Sequence, residues 1–143
     1  MKMQTFVYPI ALETPVDGGF VVSCRDLPEV ITDADTRDAA IEAAEGALQA
    51  ALEFRIRENE VIPQATKAKR GEVLVAVPIG TAMKAALYLT MNEQGINKSE
   101  LARRLGVDEK EARRMLDPKH STKVPALERA LHILGKRTEL RIA

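Results

Sequence analysis

A tight turn joins two short helical patterns in residues 97–116, NKSELARRLGVDEKEARRML. Leu101 and Leu105 recur at the spacing of one buried helix face. Gly106 permits the positive φ that a sharp turn requires, and Ala102 is small enough for two helices to cross closely. This combination predicts a helix-turn-helix motif, because few other arrangements place a small residue four positions before a turn glycine.

The second helix of the motif, predicted over 108–117, presents a charged face that suits a DNA major groove. Arginine is well matched to guanine because its planar fork reaches O6 and N7 together. Side chains at the start of the first helix and in the following loop can reach phosphates. We expect seven residues to contact DNA: Lys98, Ser99, Glu109, Lys110, Arg113, Arg114 and Lys119. The alternative is an ordinary helical hairpin with solvated charges.

The zero net charge of the 143-residue chain conceals an asymmetry between its halves. Residues 1–79 carry 8 Lys and Arg against 13 Asp and Glu, a balance of −5. Residues 80–143 carry 13 against 8, a balance of +5. Opposite charges predict opposite partners, with phosphates for the second half and a basic protein for the first. Chance, together with attraction between the halves, is the competing explanation.

Residues 1–79 alternate between strand and turn signals, which predicts a β-β-β-α-β order. The strand segments are 3–12, 19–26, the Val-Ile-Thr around 31, and 72–79, and an Ala-rich helix is predicted over 36–59. Thr36 or Asp35 can cap that helix. Pro9 lacks an N–H group, so we expect its strand at an edge or bulged. The nearly continuous apolar run of the last strand predicts a place inside the sheet.

Residues 77–80 (VPIG) mark a boundary, after which the pattern becomes helical. We therefore predict an α+β protein with an N-terminal domain over 1–79 and an all-α domain over 80–143. Helices are predicted over 81–94, 98–105, 108–117 and 124–134, with a strand-like tail over 138–143. One helix-turn-helix makes few contacts, so we expect a dimer or higher even oligomer in which two tails pair.

Several classes of protein are disfavoured by composition. The chain has no apolar run of the roughly 20 residues that a membrane helix needs, and no signal-peptide pattern, so we expect a cytoplasmic protein without a membrane partner. Cys24 is its single cysteine, which excludes an internal disulfide and predicts a small buried hydrophobe. No metal-ligand spacing or phosphate-cradling loop is present, and we expect neither metal nor cofactor.

A resemblance to a known family rests on the N-terminal half together with the helical half. YPIALE is followed by GGFVVSCRDLPEVITDADT and an Ala-rich helix, and the helix-turn-helix is followed by PALERAL and LGK. This order resembles HicB antitoxins of bacterial type II toxin–antitoxin modules, over nearly the whole chain. Glu29 departs from the family, which often has glycine after Asp-Leu-Pro.

The resemblance implies a partial ribonuclease-H-like N-terminal domain that binds a small basic HicA-type toxin, itself an mRNA-cleaving ribonuclease. It also implies a C-terminal domain that represses the operon by binding operator DNA. Loops on a rigid sheet are common binding sites, so we assign toxin contact to one segment. Its candidate residues are Asp26, Leu27, Pro28, Glu29, Asp33 and Asp35. Leu27 and Val30 fit the hydrophobic core equally well.

The implied ribonuclease-H-like fold raises the question of nuclease activity. Two-metal nucleases need several carboxylates that converge on two ions, and the candidates are Asp17, Asp26, Asp33 and Asp35. Turn and cap positions explain these residues as well, so we expect no enzyme. The alternative function is a stand-alone helix-turn-helix regulator whose first domain senses a small molecule.

Overall fold

The computed structural model describes residues 3–143 and confirms the α+β class. Four strands come from the first part of the chain: β1 Val7–Glu13, β2 Phe20–Ser23, β3 Ile31–Ala34 and β4 Glu72–Ala76. The five helices are α1 Arg37–Arg57, α2 Ile79–Gln94, α3 Lys98–Leu105, α4 Glu109–Leu116 and α5 Val124–Ile133. The order is the predicted β-β-β-α-β followed by helices. Within residues 3–143, every helix is too short or too polar to cross a membrane.

The four strands form one antiparallel sheet in the order β3-β2-β1-β4. Side chains alternate between its two faces, so Tyr8 and Ile10 of β1 share the face of Val22 in β2. All three are fully buried, and α1 packs on this face with Leu48 and Leu52 at its centre. The opposite face of the sheet is therefore directed away from α1.

Two predictions about the sheet are wrong. The order of the strands depends on where the chain rejoins the sheet after α1, and a local sequence pattern does not encode this. β1 is central, although Pro9 was expected to mark an edge or a bulge. The strand tolerates Pro9 because its register with β2 begins only at Ala11. β4 lies at an edge of the sheet and not inside it, and its Leu74 is 54 % exposed.

Side-chain caps begin three of the helices where local chemistry predicts them. The Thr36 hydroxyl accepts a hydrogen bond from the Ala39 N–H at 3.2 Å, which begins α1. Asn97 begins α3 and Asp108 begins α4 in the same way, with donor–acceptor distances of 2.9 and 2.8 Å. The caps at Asn97 and Asp108 fix where the two helices of the predicted helix-turn-helix begin.

The tail over 138–143 does not form the predicted strand within the single chain. Leu140 and Ile142 are 71 % and 85 % exposed. Cys24, in contrast, is buried as predicted, and burial raises the pKa of its thiol.

Candidate functional site

The helix pair α3–α4 packs through the residues that the sequence assigns to its core. Leu101 is fully buried, while Leu105 and Met115 are 3 % and 4 % exposed. The turn between the helices passes through Gly106, whose φ of 70° is the left-handed conformation that glycine adopts without strain. This packing leaves the charged face of α4 directed outward.

That charged face forms one wall of a groove with a volume of about 880 Å³. The start of α3 continues the same wall. Six of the seven residues predicted to contact DNA line this groove: Lys98, Ser99, Glu109, Lys110, Arg113 and Arg114. Lys119 lines a smaller neighbouring cavity of about 270 Å³. The fold thus gathers onto one surface most of the side chains that were selected on sequence grounds.

The opposite wall of the groove comes from the end of α1, which sequence analysis did not connect with this site. Arg57 and Asn59 lie on that wall, and Tyr88 and Met91 of α2 form part of the floor. The available sequence signal was a pair of basic residues, Arg55 and Arg57, in the last turn of α1. Nothing in the pattern shows that this turn lies opposite α4.

Weak ion pairs with glutamates engage the two arginines of the α3–α4 wall. Glu109 accepts a hydrogen bond from the Ser99 hydroxyl at 2.7 Å and lies 3.9 Å from Arg113. Glu111 lies 3.6 Å from Arg114. Exposed pairs of this kind contribute little, on the order of 0–1 kcal/mol, so both arginines can turn to a stronger acceptor such as phosphate.

Buried Lys84 of α2 fixes the end of α4 from below. Its side chain is 5 % exposed, and its ammonium donates to the carbonyl oxygens of Arg114 at 3.1 Å and Asp117 at 2.5 Å. A third bond goes to the carbonyl oxygen of His120. Burial lowers the pKa of the Lys84 ammonium. The lysine thus stabilises the last turn of α4 and the loop that follows it.

Three of the six predicted toxin-binding residues are already engaged within the fold. Leu27 is fully buried. Asp26 accepts hydrogen bonds from the Thr66 N–H and hydroxyl, both at 2.9 Å. Glu29 forms a two-point pair with Arg55 at 2.6 and 3.0 Å, and hydrogen bonding from Arg55 lowers the pKa of the Glu29 carboxyl.

The other three predicted residues, Pro28, Asp33 and Asp35, are exposed. Ile31 shares the outer face of β3 with Asp33 and is 71 % exposed, although sequence analysis treated it only as part of a strand. An exposed isoleucine beside a carboxylate makes this edge of the sheet both apolar and acidic.

The carboxylates considered for a nuclease centre lie in separate surroundings. Asp17 is exposed in the turn between β1 and β2, while Asp26 is bonded to Thr66. Within residues 3–143, no three His, Cys, Asp or Glu side chains lie together in a way that could hold a metal ion.

Comparison with known proteins assigns the chain to a family. Residues 7–86 match the family model described as HicB_like antitoxin of bacterial toxin-antitoxin system. The chain belongs to this HicB antitoxin family. The resemblance seen in the sequence is therefore confirmed.

Curated HicB relatives align with almost the full chain. Antitoxin HicB of Escherichia coli (strain K12) is 35 % identical over 133 residues, which cover 93 % of this chain and 96 % of the relative. Antitoxin HicB 2 of Photorhabdus laumondii is 38 % identical over 133 residues, 93 % and 94 % of the two chains. Antitoxin HicB of Pseudomonas fluorescens (strain Pf0-1) is 34 % identical over 138 residues, 95 % and 94 %. These relatives are named antitoxins and not enzymes.

Proposed function

We propose that this HicB-family protein neutralises a HicA-type mRNA-cleaving toxin through its N-terminal half and represses its own operon through its helical half. The observation that carries the proposal is the match to curated antitoxins over 93 % of the chain, since that span includes both candidate surfaces. A boundary between the two functions near residues 79–80 stays a prediction. The proposal requires that the protein bind both a toxin and promoter DNA.

Toxin binding is supported by charge and by the edge of the sheet at β3. Asp33 and Asp35 lie exposed in a half with a balance of −5, which suits a partner built to hold RNA. Ile31 adds an apolar contact beside them. Asp26 holds the loop at Thr66, Glu29 pairs with Arg55 of helix α1, and Leu27 is buried within the segment.

Co-expression with the small basic protein encoded next to the antitoxin tests this assignment. The wild type should rescue growth and co-purify with the toxin, whereas Asp33→Lys should weaken binding at least about tenfold, because it places like charges together. Glu128→Lys changes the charge equally on exposed α5 and is the matched control. Equal toxin binding by the Asp33→Lys variant and the control would remove β3 from the interface.

Promoter binding is supported by the charges that line the groove. The groove is lined by five cationic side chains and only two carboxylates, and this excess of positive charge favours a phosphate backbone over a neutral ligand. A labelled fragment of the operon's own promoter should shift in a gel at low salt. A protein that leaves the fragment unshifted at about 50 mM salt, where phosphate contacts are strongest, is no autorepressor.

Dimer formation through the tail is supported by the exposed, alternating apolar residues Leu140 and Ile142. A second copy could cover both through strand pairing, which would place two helix pairs on one two-fold DNA site. Deleting 138–143 should convert the dimer to a monomer, as measured by light scattering. An unchanged mass would assign self-association to another surface.

A further inference from the structure

The groove beside α4 has one wall in each half of the molecule. Lys110 and Arg113 of α4 line it together with Arg57 and Asn59 at the end of α1. An α-helix in a DNA major groove has a sugar–phosphate strand on either side, because the groove is only about 12 Å wide. With α4 in a major groove, as proposed above, the strand on the α1 side would pass between α4 and the end of α1.

Both walls are tied to the same helix, α2, so their separation is set by the fold. The Tyr88 hydroxyl donates to the Glu60 carbonyl oxygen at 2.7 Å, just beyond the end of α1. Four residues earlier along α2, Lys84 donates to the carbonyl oxygens of Arg114 and Asp117 at the end of α4. A surface held in this way requires little ordering when it binds.

Arg57 is available for a new contact. Its side chain is 49 % exposed, and its guanidinium lies 5.4 Å from the centre of the Phe54 ring. Its ion pair with Glu58, at 3.6 Å, joins two half-exposed side chains and adds little stability. The phenyl ring restricts the guanidinium while leaving its N–H groups free to meet a phosphate.

We infer that the groove between α1 and α4 holds one strand of the DNA duplex and that Arg57 contacts a phosphate of that strand. The inference rests on the proposed binding of promoter DNA. It adds that the first half of the chain, which is acidic as a whole, contributes a basic residue to the DNA interface. Asn59 lies beside Arg57 and offers an amide donor to the same backbone.

Full-length Arg57→Gln tests the inference by fluorescence anisotropy with the promoter fragment between about 50 and 300 mM salt. Loss of one phosphate contact in each protomer of the proposed dimer should reduce the salt slope by about 1.8 and the affinity by about 10- to 100-fold at 150 mM. Arg57→Lys keeps the charge and should recover the slope. Arg37→Gln removes the same charge from the other end of α1, about 30 Å away along its axis, and should match the wild type.

The outcomes separate this inference from the proposed function. If the wild type binds the promoter and Arg57→Gln binds it with the same affinity and slope, the groove wall on α1 takes no part. If the variant loses toxin binding while its DNA binding is unchanged, the groove belongs to the protein partner and the assignment to DNA is overturned. If the wild type fails to bind DNA, the proposed repressor function and this inference fall together.

Discussion

Replacing Lys84 by methionine should lower the free energy of unfolding by about 2–3 kcal/mol and loosen the end of α4. Methionine is similar in size and apolar, so the volume below α4 stays filled. The three carbonyl oxygens of Arg114, Asp117 and His120 would lose their shared donor. Removing the desolvated charge offsets part of this loss, which keeps the expected effect below that of an unpaired buried ion.

Chemical denaturation measures the loss in stability, and hydrogen exchange locates it. The amides of Asp117 and His120 donate to the carbonyl oxygens of Arg114 and Asp117, and they should exchange faster in the variant than in the wild type. Thr90→Val is the control, because buried Thr90 bonds only within α2, to the Ala86 carbonyl oxygen at 2.7 Å. A Lys84→Met variant no less stable than Thr90→Val would show that the lysine does not hold the end of α4.

Local chemistry was sufficient to predict the helices. Three helices begin after a residue whose short side chain accepts a hydrogen bond, and these residues are Thr36, Asn97 and Asp108. Two helices end at a glycine in the left-handed conformation, Gly95 or Gly106. These signals act over only a few residues, so one sequence contains all the information needed. The same helical period predicted which residues share the charged face of α4.

Long-range placement could not be predicted in this way. The apolar run of β4 has the same composition at an edge as in the interior, and Pro9 is tolerated in a central strand because β2 pairs only beyond it. Arg57 faces α4 from a helix about fifty residues earlier, and Lys84 bonds carbonyl groups about thirty residues later. Such contacts depend on how the two halves pack, which no local period records.

The same limit explains the uneven prediction of the candidate sites. The DNA-binding candidates lie on one short motif, whose geometry brings six of them together in a single groove. The toxin-binding candidates lie in an irregular segment, where period alone does not separate buried Leu27 from exposed Pro28. Ile31 is exposed because β3 turns it to the face opposite α1, and this depends on register.

Removing the three cations of α4 together should nearly abolish promoter binding. The variant Lys110→Ala, Arg113→Ala, Arg114→Ala loses up to three phosphate or base contacts in each protomer of the proposed dimer, so affinity at 150 mM salt should fall at least about 1,000-fold. The salt slope should decrease by up to about 5.4 if all three side chains of both protomers contact phosphate. All three are exposed at the groove, so the fold should persist.

A second triple variant separates a specific interface from a general attraction between opposite charges. Arg103→Ala, Lys136→Ala, Arg137→Ala removes the same charge from the helical half, at positions that do not line the groove. It should keep the promoter affinity within about threefold, because none of these side chains lines the groove and two of them, Arg103 and Lys136, are paired with Glu100 and Glu93. Equal losses in the two variants would mean that net charge alone draws the protein to DNA. A loss confined to the α4 variant, with its toxin binding unchanged, would assign repression and neutralisation to separate surfaces of one chain.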